Sequence, residues 1–108
     1  MITVYKKTEL GLDQIDEVAP GTWIHLIDPT RTEVEQLLAV IDIPEDFVIA
    51  ALDEDERART DREDGVTLII LRVPYFFGQE EDLPYGTVPL GIILTNGYLV
   101  TVCKYHTG

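Results

Sequence analysis

The run GVTLIILRVPYFF, residues 65–77, constrains this chain more than any other stretch. From 66 to 71 it is apolar almost throughout and rich in branched side chains, the pattern of a strand covered on both faces. Leu68, Ile70 and Val73 need a cover on one side, and Ile69 and Leu71 need one on the other. The rest of the chain offers two short helical segments, enough for one face only. The sequence therefore predicts a sheet that pairs with a second copy or receives a further layer from beyond Gly108. Because an apolar strand runs almost to the end with no closing helix, the chain reads as a fragment.

The remaining elements follow from periodicity and punctuation. Residues 2–6 alternate as a first strand, GLDQIDEVAPG (11–21) reads as a loop or short helix, and TWIHLID (22–28) is a compact strand stopped by Pro29. Thr30 precedes Glu33 by three residues and Thr32 precedes Glu35 by three, so either pair can form a capping box. Val34, Leu37, Leu38 and Ile41 then recur on one helix face. Pro44 suits the first turn of a second, shorter helix with Phe47, Val48, Ala51 and Leu52 as its apolar stripe. GQEEDLPYG (78–86) is a polar loop, and Asn96-Gly97 between two apolar runs marks a two-residue hairpin whose turn positions both call for positive φ. The fold class is α/β: a mixed β-sheet with two helices on one face, in a single domain spanning 1–108. Its expected core is Trp23, Val34, Leu37, Leu38, Phe47, Leu52 and the strand 66–71.

Charge narrows the partners. An apolar fraction of 45% is that of a folded chain, yet eight basic against twenty acidic side chains leave a formal charge of −12. Such an excess repels phosphate backbones and anionic lipid, which argues against nucleic acid, and it favours cations. The start MITVYKK is not a signal peptide, and no stretch approaches the ~20 apolar residues of a spanning helix. The lone Cys103 cannot form an internal disulfide, in keeping with a reducing, cytoplasmic compartment.

Enzyme signatures are thin. No phosphate-cradling glycine motif is present, and the chain has no serine. Cys103 and His106, three apart on a strand, fall on opposite faces, and His25 reads as a hydrogen-bonding surface residue. The one constellation with chemical meaning lies in ALDEDERARTDRED (51–64). Asp53, Glu54, Asp55 and Glu56 directly follow the second helix, where the negative end of its dipole disfavours each exposed carboxylate by about 0.3–1 kcal/mol. Arg57, Arg59 and Arg62 are one compensation, giving a salt-bridged solvated corner; a hard divalent cation such as magnesium is the other. Alternation of those arginines with smaller polar residues suits a short charged edge strand.

TWIHLIDPTRTEVEQLL, IPEDFVIAALDEDERAR, DGVTLIILRVPYF and VPLGIILTNGYLVTV, in that order and spacing, resemble the N-terminal cytoplasmic domain of CorA-type magnesium transporters. The resemblance implies a partial α/β/α sandwich whose second helical layer follows the hairpin and is missing here. It also implies a long helix, two membrane spans with a Gly-Met-Asn signature, and a homopentamer, so that this domain is cytoplasmic and reaches the cell membrane only through missing C-terminal sequence. In that family magnesium bound between neighbouring cytoplasmic domains holds the closed state. The resemblance places Ala50 at the family's acidic ligand position, a departure that shifts the role to Asp53 or a neighbour or removes the site. Zinc exporters share the domain, so magnesium, cobalt and zinc, import and export, all stay open. The expected function is a regulatory, metal-sensing domain with weak magnesium binding at Asp53–Glu56 and a monomer or dimer for the fragment. The alternative is a free-standing small-molecule-binding or protein-interaction module dimerised through its sheet.

Overall fold

The computed structural model describes residues 1–9, 11–80 and 82–105. Seven strands and two helices follow in the order β1 (Ile2–Thr8), β2 (Gly11–Ile15), β3 (Thr22–Ile27), α1 (Arg31–Val40), α2 (Glu45–Leu52), β4 (Arg59–Glu63), β5 (Val66–Phe76), β6 (Tyr85–Thr95) and β7 (Tyr98–Cys103). All strands join one sheet, ordered β2-β1-β3-β7-β6-β5-β4. Only β3 and β7 pair in parallel, Ile24 opposite Val100, and the other ladders are antiparallel. The sheet is mixed, as expected.

Both helices lie between β3 and β4 in sequence, and α2 packs on β6 and β7. Register aligns Val4, Ile24, Val100, Ile93 and Leu68 in one row across five strands, and each is buried. Phe47, Val48 and Ala51 of α2 and Leu37 of α1 close over this face. The approach of α2 depends on Gly91: a Cβ there would stand 2.4 Å from the Cβ of Ala51. Of the two possible capping boxes, Thr30 with Glu33 forms; Glu35 pairs instead with Arg31 at 3.2 Å. Pro44 occupies the N-cap of α2 rather than its first turn, so its fixed φ sets the entry without a side-chain cap.

Other expectations need correcting. Residues 11–15 form an edge strand, not a loop or short helix. Every β2 residue but Ile15 is exposed, so burial imposes no pattern there, and pairing with β1 decides the conformation. Trp23, Ile69 and Leu71 leave the helix-covered core because their neighbours Ile24, Leu68 and Ile70 take it, and side chains alternate across a sheet. By the same alternation Val73 falls with Ile69 and Leu71, not with Leu68 and Ile70. Val34, Leu38 and Leu52 pack at the core margin, half-buried. At the β6–β7 hairpin only Gly97 has positive φ (83°), and Asn96 does not. The β4–β5 turn, by contrast, is made by Asp64 (φ 51°) and Gly65 (φ 81°), both left-handed.

Candidate functional site

The acidic block is a turn hung on the end of α2. Asp53 is the C-cap, its N–H donating to the Ala50 carbonyl at 3.2 Å, and its carboxylate accepts from the Asp55 N–H at 3.0 Å. That side chain therefore holds its own turn together. From β5, Arg72 reaches under the turn. Its guanidinium donates to the carbonyls of Glu54 (2.8 Å) and Glu56 (3.0 Å), and to Oγ1 and the carbonyl of Thr87 on β6. A cation thus satisfies the carbonyls that follow the helix, where the dipole is negative.

The carboxylates diverge from one another. Glu56 pairs with Arg59 at 3.0 Å, and Arg59 reaches on to Asp61 at 3.1 Å. Glu54 accepts from the Tyr105 hydroxyl and faces the Lys104 ammonium at 3.5 Å. The Tyr105 hydrogen bond, and after it the Lys104 charge, hold the Glu54 carboxyl below the ordinary carboxylate range. Glu54 in turn raises the Tyr105 phenol. Arg59 neutralises part of the block as expected; among the described residues Arg57 joins no ion pair. Likewise among the described residues, no three Asp, Glu, His or Cys side chains converge as a metal site. Ala50 is buried against the core, so its methyl offers neither an oxygen nor access to solvent.

A second acidic grouping is invisible in sequence. Asp46 from the start of α2 and Asp42 from its approach, with Glu63 at the end of β4 and Asp64 in the turn after it, line a cleft of about 250 Å3 beside Ile43, Pro44 and Val66. Its members lie some twenty positions apart, and no spacing rule joins them.

The sheet face opposite the helices carries Tyr5, Trp23, Leu99 and Leu94 in one row and Ile27, Leu90 and Leu71 in another. Leu71 and Leu94 are each 43% exposed, whereas Leu68 and Ile93 behind them are fully buried. Between these rows Trp23 Nε1 donates to Thr101 Oγ1 at 2.7 Å, and His25 Nδ1 lies 2.6 Å from the same oxygen. His25 is thus hydrogen-bonded at the surface, as expected. Cys103 is buried with its Sγ 3.5 Å from the Pro89 carbonyl, and His106 lies outside the described residues. Beside these rows, Tyr5, Lys7, Leu12, Trp23, Tyr98 and Leu99 line a groove of about 340 Å3. No helix among the described residues is long and apolar enough to cross a membrane.

Similarity to known proteins agrees with this geometry. The family described as CorA-like Mg2+ transporter protein matches residues 19–106. The cobalt/magnesium transport protein CorA of Methanocaldococcus jannaschii is 35% identical over 106 residues, covering 94% of this chain and 32% of that protein. The complete CorA structure from the same organism superposes with a TM-score of 0.79 at 27% identity, over 98% of this chain and 33% of the other. Its soluble domain gives 0.78 at 26% identity, covering 98% of this chain and 41% of the soluble domain. The ZntB cytoplasmic domain from Vibrio parahaemolyticus gives 0.70 at 17% identity over 97% of this chain and 44% of that one, a likeness of fold alone. The chain thus spans about a third of the length of the transport protein it matches. Its sheet, its two helices and its sequence together make it a member of the CorA-like Mg2+ transporter protein family.

Proposed function

We propose that this chain is the cytoplasmic regulatory domain of a CorA-like divalent-cation transporter, joined in the full-length protein to membrane-spanning sequence. The observation that carries the reading is the match to the CorA soluble domain over 98% of the chain at 26% identity. The apolar sheet face opposite the helices supports it, since the match leaves more than half of that soluble domain unaccounted for and able to supply a cover. The domain has no catalytic step to perform in this reading. It senses rather than conducts.

The mechanism is electrostatic. A chain of formal charge −12 repels its copies, and divalent cations held between neighbouring copies offset that repulsion. Magnesium takes oxygen ligands and keeps several waters, so one or two carboxylates from each copy suffice. Asp53, Glu54, Asp55 and Glu56 are the proposed contribution of this chain, with Asp55 the least committed of the four because its side chain makes none of the turn's hydrogen bonds. Loss of the cation loosens the assembly and shifts it toward another state. The full-length assembly is proposed to be a homopentamer; residues 1–108 alone are expected as a monomer, or as a dimer hiding the apolar face.

Magnesium titration of the 108-residue chain, followed by amide chemical shifts, tests the cation site. The expected result is weak binding with shifts at residues 53–56. Tight, saturable binding would place a complete site within one chain, and no local shift would remove the turn from the mechanism. Sedimentation tests assembly: a stable five-membered ring of the 108-residue chain would overturn the proposed division of labour with the missing sequence.

A further inference from the structure

Among the four carboxylates of the acidic turn, Glu54 differs in what it reaches. Asp53 bonds within the turn, and Glu56 bonds to Arg59 three positions on. Glu54 alone, among the described residues, bridges to a distant segment: Lys104 and Tyr105, which directly follow β7 and stand about fifty positions away. The Tyr105 ring is also packed 4.8 Å from Tyr75 and 5.9 Å from Phe77, at the outer end of β5. The two sides of this bridge are not equally secured. Arg72 pins the turn through the Glu54 and Glu56 carbonyls, independently of any carboxylate. Lys104 lies beyond the last ladder pair, Leu90 with Cys103.

We propose that Glu54 is a latch that fixes the direction in which the chain leaves β7. Breaking it moves the segment at 104–105 and leaves the turn in place. This deepens the regulatory reading above and rests on it for its trigger. A cation recruited to Glu54 displaces the Lys104 ammonium and the Tyr105 hydroxyl, because a carboxylate already bound to a divalent ion is a weaker acceptor for both. Occupancy of the turn is thereby converted into freedom of the segment after β7.

The test uses the 108-residue chain labelled at its tyrosine rings. In the unaltered chain the Tyr105 ring signals should be displaced by the neighbouring Tyr75 and Phe77 rings. Glu54→Ala should release that displacement and speed amide exchange at residues 103–105 roughly two- to tenfold, with Val100 and Ile24 unchanged. Asp55→Ala, which removes an equal charge beside the latch, should leave Tyr105 as it was. Equal behaviour of Tyr105 in the unaltered and Glu54→Ala chains, or equal effects of the two variants, overturns the latch. Magnesium chloride added to the unaltered chain should reproduce the Glu54→Ala change at Tyr105. Shifts at 53–56 with Tyr105 unmoved overturn the coupling to cations. No magnesium-dependent shift anywhere instead overturns the cation reading of the turn, and the two variants then decide the latch by themselves.

Discussion

The two faces of the sheet are built from the same strands and nearly the same residue types, yet they end in different environments. On β5, Leu68 and Ile70 are shut under the helices while Leu71, one residue on, is 43% exposed. On β6, Ile93 is buried and Leu94 is 43% exposed. The side chains are not what differs. What differs is that the helices reach one face only, so equal hydrophobicity produces a core on one side and an unfilled contact surface on the other. The buried face carries the stability of this chain, and the open face leaves apolar surface in water.

The largest effect should come from the covered face. Phe47→Ala removes a buried ring from between α2 and the sheet and should cost about 3–5 kcal/mol in urea unfolding. Leu71→Ala on the open face should cost under about 1 kcal/mol, for 43% of its surface stays in water in the folded chain. Equal losses would break the comparison. Next comes the close approach at Gly91. Gly91→Ala should destabilise by about 1–3 kcal/mol, and adding Ala51→Gly should restore part of the loss, since the clash is between those two positions. Additive losses in the double variant would mean that the helix does not seat there.

Thr30→Ala should cost about 1 kcal/mol by opening the capping box of α1. The box also carries a pH dependence. The Thr30 backbone N–H, and after it the amino terminus, hold the Glu33 carboxyl below its ordinary value. The stability so gained is present above the unfolded-state value and is lost as pH falls through the folded one. As pH falls below the ordinary glutamate value of about 4.3 the unaltered chain should lose this increment, and Glu33→Gln, which has no carboxyl to titrate there, should not. The smallest stability change is expected for Leu94→Asp on the open face, within about 1 kcal/mol, accompanied by loss of any sheet-mediated dimer in sedimentation. A dimer that survives this change uses another surface.

The candidate site was legible in part. Residues 53–56 stand out because four acids in a row after a helix are anomalous against its dipole, and the charged edge strand after them was readable from its alternating arginines. Arg72 was not readable as their anchor. It sits between Leu71 and Val73 in a strand whose pattern says only that it is apolar, and its guanidinium meets Glu54 through folding alone. The partnership of Glu54 with Lys104 and Tyr105 was hidden for the same reason.

By itself the sequence determined the elements whose signals are local. A capping box at the start of α1, the stripe Phe47, Val48, Ala51 and the β6–β7 hairpin each rest on contacts within a few residues, and sequence spacing records such contacts directly, though which of two threonines makes the cap was left to the structure. It also determined that the strand at 66–71 has two apolar faces. Which face the helices take, and therefore whether Trp23 and Leu71 become core or open surface, was decided only in the tertiary structure. So was the edge strand at 11–15, whose exposed residues pair because β1 lies beside them. The reason is common to both: alternation tells two faces apart but does not name them, and only the packing of distant elements chooses which one is covered.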